Sequence, residues 1–142
     1  MIREYRHHDR DEAVDVWERA SRLAHPFLDE AFFVHEREMV ATVHLAQAET
    51  WVFVRDAGLA GFISLIGNEV GGLFIDPRVH GQGMGRALVD HAAALRPVLE
   101  VEVFAANHIG RRFYDRYGFR QVAQLVHEPT GQAVLRLRYR RC

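Results

Sequence analysis

Chemistry is most densely suggested between Leu73 and Leu88. An apolar run, Leu73-Phe74-Ile75, gives way to Asp76-Pro77, then to Gly81, Gly83 and Gly85 in alternate positions, then to a helical pattern. Glycine permits positive φ and lets a ligand reach the backbone with no Cβ in the way. Successive amides in such a turn converge into an anion nest, and a helix N-terminus adds partial positive charge. Read this way, the segment is a phosphate cradle. It is not a Walker A loop, because no Gly-Lys-Ser/Thr follows. Its G-x-G-x-G spacing also departs from the G-x-G-x-x-G of dinucleotide sites. A plain flexible turn at the start of a helix is the competing reading.

A second stretch runs from Asn107 through Gly110, Phe113, Tyr114 and Tyr117 to Gly118-Phe119. Alone, a Phe-Tyr pair at this spacing serves a core as readily as a site. The nine histidines include no H-x-x-x-H and no carboxylate pair at ligand spacing, so no metal is expected. Cys142 is the single cysteine and can form neither an internal disulfide nor a thiolate cage.

Together the two stretches resemble motifs A and B of the GCN5-related N-acetyltransferase (GNAT) family. The pyrophosphate loop of that family is written R/Q-x-x-G-x-G/A, and Arg78-Val79-His80-Gly81-Gln82-Gly83 fits it. A register shifted to His80 fits the glycines but puts histidine where arginine or glutamine is usual. Motif B, N-x-x-A-x-x-F-Y-x-x-x-G-F, is matched with Gly110 in place of alanine. The resemblance implies an α/β fold with a mostly antiparallel sheet, two splayed parallel central strands and flanking helices. It implies acetyl-CoA as cofactor, bound by Arg78, His80, Gly81, Gln82, Gly83, Met84, Gly85 and Arg86, with its diphosphate on the amides from Gly81 to Arg86. The pantetheine arm would pair with the backbone of Leu73, Phe74 and Ile75, near Asn107. An amide of that strand, at Leu73 or Phe74, would face the oxyanion.

The implied reaction is direct transfer of an acetyl group to a primary amine of a small molecule or protein, with no covalent acyl carrier. A thiolate leaving group of pKa about 8.5 benefits from a proton donor, and a phenol of pKa about 10 stays protonated at neutral pH. Tyr114 matches the family tyrosine in that role. The general base stays open. Glu69 occupies a position where some members carry a working glutamate, while His25, His35, Glu36 and ordered water are alternatives. The resemblance extends to a subgroup of short bacterial acetyltransferases with a similar element after a tryptophan-containing helix. It places Trp17, His25 and Phe27 at the acceptor, although Trp17 and Phe27 would serve equally as core. A non-catalytic acyl-CoA sensor on the same fold is the rival reading.

These residues need a scaffold, and hydrophobic periodicity supplies one. Ile2–Arg6 reads as a strand and Asp9 as a helix cap, followed by inward Ala13, Trp17, Ala20 and Leu23. A second helical stretch covers about Asp29–Ala46. Strands at 50–55 and 59–66 flank the turn Asp56-Ala57-Gly58, and a third spans 69–75. A helix from Gly83 ends at Pro97, a strand covers 98–104, a helix runs from Asn107 to Gly118, and 119–126 pairs with 133–139. The order is β-α-α-β-β-β-α-β-α-β-β, without repeats or linkers.

The chain has 142 residues, 49% hydrophobic and 26% charged, which suits one domain over residues 1–142. No apolar run approaches the roughly 20 residues needed to span a bilayer. The charged start, Met1–Arg6, lacks a signal peptide's apolar core, so a cytoplasmic protein is expected. A net charge of −1 argues against nucleic acid or an anionic membrane as partner. Arg136, Arg138, Arg140 and Arg141 read as the solvated face of a closing strand. No motif decides between monomer and homodimer. All 18 basic residues are arginine. Arginine-favouring codon usage explains this most simply, but it also leaves no lysine for the protein's own amine chemistry to modify.

Overall fold

Alternation and helical spacing separate the apolar residues into two groups, and each group covers one face of a central sheet. In the computed structural model, residues 1–56 and 58–141 are described, so Ala57 of the first hairpin turn and Cys142 lie outside the described residues. The sheet has seven strands: β1 (Ile2–Glu4), β2 (Glu49–Arg55), β3 (Gly58–Ile66), β4 (Glu69–Ile75), β5 (Val98–Phe104), β6 (Arg120–His127) and β7 (Gln132–Arg140). They lie in the order β1-β2-β3-β4-β5-β7-β6, and only β4 and β5 are parallel neighbours.

Helix α1 (Arg10–Ala24) packs Ala13, Val14, Val16 and Trp17 on one face against Val52, Leu59 and Phe62. Helix α2 (Glu30–Met39) lies on the same side. It continues through a π-helical turn, Val40–His44, into the single turn α3 (Leu45–Gln47). Helix α4 (Met84–Leu95) covers the other face, where Leu88, Val89, Ala92 and Ala93 meet Ile63, Leu65, Val101 and Leu137. Helix α5 (His108–Tyr117) joins that cluster through Tyr114.

The parallel pair is in register only at Glu69↔Glu100 and Val70↔Val101. Beyond these residues β4 continues to Ile75 and β5 to Phe104 without pairing to each other. On its other side β4 stays paired with β3 as far as Ile75↔Gly61, with a register shift that leaves Gly71 unmatched. Such a bulge bends a strand and increases its twist, and here it stands just where the two strands begin to part.

Several sequence expectations are corrected. The first strand stops at Glu4 rather than Arg6. Asp9 does not cap α1 through its side chain. Its buried carboxylate receives both Arg3 Nη atoms at 2.8 Å and the Arg6 N–H at 2.8 Å, tying the first strand to the first helix. Leu23 is exposed rather than inward. The closing strand β7 is interior, inserted between β5 and β6. Accordingly Arg136 is no free surface cation. It bridges Glu69, Glu100 and Glu102, and Arg138 joins Glu100.

Candidate active site

The turn after β4 is built around Asp76, which is 4% exposed. Its carboxylate accepts the Arg78 N–H at 3.0 Å, which starts the short 3-10 turn Pro77–Val79. It also receives Arg78 Nη2 at 2.7 Å and Arg19 Nη2 at 2.9 Å. The Arg78 hydrogen bond, with Arg19 behind it, holds the carboxyl far below the usual carboxylate range despite burial. The guanidinium of Arg78 is therefore spent on Asp76, and Arg78 does not line the adjoining cavity. Through Asp76 the Arg78 guanidinium clamps the loop.

Gly81 and Gly83 each adopt φ of +80°, a conformation that costs an L-residue roughly 1–2 kcal/mol. The Ala87 N–H bonds back to Gly83 O at 3.0 Å, so the amides of Met84, Gly85 and Arg86 precede the first helical bond of α4 and have no acceptor within it. Gln82 accepts a hydrogen bond from Arg55, and His80 Nε2 lies 3.0 Å from Ile75 O.

A cavity of about 580 Å³ opens here, walled by Leu73, Phe74 and Ile75, the loop His80–Arg86, Asn107 and Tyr114. The Asp76 N–H bonds to Ala60 O across β3. In an antiparallel ladder the hydrogen-bonding direction alternates, so the main-chain groups of Leu73 and the N–H of Ile75 point away from β3 into the gap, while the Ile75 carbonyl is met by His80. The gap therefore presents an open strand edge to an extended ligand.

Tyr114 is 6% exposed and lines the same cavity. Burial raises its phenol well above the ordinary value, so it is protonated across the physiological range. Among the described residues its hydroxyl has no hydrogen-bond partner. The neighbouring Tyr117 is committed elsewhere, donating to Asp90 at 2.6 Å.

Asn107 starts α5, its Oδ1 accepting the Gly110 N–H at 2.9 Å. That contact fixes the amide orientation, so Nδ2 is the donor toward His25 Nε2 at 3.3 Å. The remaining His25 proton then sits on Nδ1, 3.0 Å from Ser21 Oγ. Burial lowers the His25 pKa to about 4, so the ring is neutral. A Cβ on Gly110 would stand 2.6 Å from Asn107 Nδ2, the tip of that side chain.

On the α1–α2 side of the sheet lies a second cavity of about 230 Å³. His25 and Phe74 line both cavities and form their common wall. The smaller one is further bounded by Trp17, Phe32, Phe104, His127, Glu36 and Glu102. The charged lining of the two cavities is opposite. In the larger it is Arg86, Arg112 and Arg116, whereas in the smaller it is Glu36 and Glu102.

Of the residues expected at the acceptor, Trp17 and His25 line the smaller cavity. Phe27 stands behind it, edge-on to His25 and Phe104 at ring separations of 5.7 and 5.6 Å. Among the base candidates, Glu36 lines the cavity and His35 is exposed. Glu69 lines neither cavity and pairs with Arg136 at 3.2 Å. Glu102 was missed, although its alternation with Val101 and Val103 puts it on the face opposite the cluster under α4.

Comparison with known proteins agrees with this geometry. Residues 9–135 match the acetyltransferase (GNAT) domain family, and the chain belongs to it. The peptidyl-lysine N-acetyltransferase YjaB of Salmonella typhimurium is 38% identical over 132 residues, 92% of this chain and 90% of that one. The peptidyl-lysine N-acetyltransferase YiaC of Escherichia coli is 29% identical over 84% of this chain and 82% of its own. The solution structure of apo YjaB from Escherichia coli superposes with a TM-score of 0.90 at 32% identity, covering 100% of this chain and 98% of that one. The PaiA N-acetyltransferase of Thermoplasma acidophilum, crystallised with coenzyme A, shares the fold with a TM-score of 0.79 at 17% identity, over 98% of each chain. The chain is thus an acetyl-CoA-dependent N-acetyltransferase, and the sensor reading gives way to an enzyme. Its free amides, open strand edge and arginine-lined cavity suit that anionic thioester. No helix among the described residues is long and apolar enough to cross a membrane.

Proposed function

We propose that the chain transfers acetyl groups to lysine ε-amines of proteins. Acetyl-CoA lies in the larger cavity and the lysine enters through the smaller one. The observation that carries this reading is the pair of oppositely charged cavities sharing His25 and Phe74. A tetraanionic coenzyme suits arginines and free amides, and an alkylammonium suits aromatic walls with carboxylates. The two YjaB and YiaC relatives, both named as peptidyl-lysine acetyltransferases, support the same acceptor.

In this reading the whole chain acts as one catalytic domain. The amides from Gly81 to Arg86 hold the diphosphate, and the edge of Leu73–Ile75 aligns the pantetheine arm. The Leu73 N–H donates to the thioester oxygen as negative charge gathers there. A lysine ammonium of pKa about 10.4 must lose a proton before attack. Glu102, which lines the acceptor cavity and shares Arg136 with Glu69 at 2.9 Å, takes that proton directly or through one water, in preference to Glu69, which lines neither cavity. Tyr114 protonates the departing thiolate. The neutral His25 orders Asn107 and hence the first turn of the helix that carries Tyr114. Because acetyl-CoA does not cross membranes unaided, the reading also places the enzyme in the cytoplasm.

The test is thiol release from acetyl-CoA with three acceptors: N-terminally blocked lysine peptides, lysine-free peptides with a free N-terminus, and small diamines. Turnover is expected with the blocked lysine peptides. Turnover confined to either of the other two contradicts the lysine assignment.

A further inference from the structure

Strand β6 forms one outer edge of the sheet and is eight residues long, whereas β1 at the opposite edge has three. An edge strand leaves every second N–H and C=O without a partner, and proteins blunt such edges with proline, charge, shortness or a bulge. Between Arg120 and His127 this strand holds no proline and no charged residue. Its one guard is the register shift at Val122, after which Ala123 to His127 pair regularly with β7. Val122, Leu125 and Val126 are exposed, Val126 at 63%, and among the described residues no other element carries more than one exposed large apolar side chain. Leu125 stands opposite Val134 and Val126 opposite Ala133, so the two project from opposite faces of the strand. The free edge is therefore apolar on both sides.

The charges at the two ends of the strand say what covers it. Arg120 stands directly opposite Arg138, an unfavourable like-charge pair, and Arg138 already engages Glu100. Arg120 opens the strand and Glu128 follows its last residue; both are exposed, and neither has a charged partner among the described residues. A strand with opposite charges at its ends is complementary to itself when it runs antiparallel to a copy. We propose that β6 is a homodimer interface, in which a second copy of this chain pairs along the free edge about a two-fold axis. Each Arg120 then meets the partner's Glu128, and the symmetry makes every such contact twice. The two seven-stranded sheets join into one continuous sheet. His127, at the end of β6, lines the smaller cavity, so the start of the partner's strand borders the rim of that cavity.

Sedimentation of the full chain over a concentration series tests it. Wild type should show a monomer–dimer equilibrium with a dissociation constant on the order of micromolar. Arg120→Glu sets like charges against each other at both ends of the interface and should weaken the dimer about 10-fold or more. The charge swap Arg120→Glu/Glu128→Arg should restore it to within about 3-fold of wild type. Val126→Asp should leave monomer alone at concentrations where wild type is dimeric. These positions are exposed, so circular dichroism should show each variant folded. Wild type that stays monomeric throughout overturns the proposal, as does a dimer that neither Arg120→Glu nor Val126→Asp weakens. Assembly beyond two copies contradicts the two-fold pairing, and a swap that fails to restore the dimer contradicts the Arg120–Glu128 contact on which the choice of partner rests.

Discussion

Tyr114 carries a proton in an enclosed place with no protein partner for it, and that makes it the most exposed point of the chemistry. Tyr114→Phe should lower kcat by at least about 100-fold while the calorimetric affinity for coenzyme A changes little. Equal loss in both would make the residue structural. Glu102→Gln should also lower kcat by about 100-fold, and raising the pH should partly restore the rate because more free amine is then present. Glu69→Gln should leave the rate close to wild type. Sequence led to Glu69 because only its position on the strand was visible. The cavity that Glu102 lines and Glu69 does not is walled by α1, α2 and β5, and nothing local to Glu69 announces that. For His25, burial depresses the folded value from 6.5 to about 4. The unfolded chain then binds the extra proton between those limits. The His25 contribution to stability is therefore complete above pH 6.5 and is lost as pH falls toward 4. Urea midpoints at pH 7 and 4.5 should reveal a loss on the order of 2 kcal/mol in wild type beyond that in His25→Gln.

Strand β4 and helix α4 do their work at the junction between them. Gly83→Ala forces a Cβ into φ of +80°, at a cost of about 1–2 kcal/mol, or else turns the amides out of line. Coenzyme A affinity should fall about 10-fold or more, with circular dichroism showing the fold retained. An unchanged affinity would mean that these amides are not the anchor. The elements were legible where their causes were local. Gly81 and Gly83 have the backbone freedom that the turn requires. Asn107 stands three residues before the amide it caps, and Asp29 likewise accepts from Phe32 N at 2.9 Å. Asp9 was misread because its partner, Arg3, belongs to another element. The π-helical turn at Val40–His44 left no mark in a sequence pattern that suits one continuous helix.

At the scale of the whole molecule, two features escaped element-by-element reading. One is the insertion of β7 between β5 and β6, which depends on pairings that no short motif encodes. The other is the separation of charge between the cavities, where the arginines come from α4 and α5 and the carboxylates from α2 and β5. A property of the entire chain was legible at once: it contains no lysine. An enzyme acting on protein lysines would then be blind to its own side chains. Intact-mass analysis after long incubation with acetyl-CoA should show no side-chain acetylation. The central claim is that main-chain amides at the β4–α4 junction and the open edge of β4 grip acetyl-CoA and aim its thioester at Tyr114. An NMR titration of the ¹⁵N-labelled chain with coenzyme A tests it most directly. The largest amide shifts should fall at Gly81, Gly83–Arg86, Leu73 and Ile75. Shifts centred elsewhere, with those amides unmoved at saturation, would contradict it.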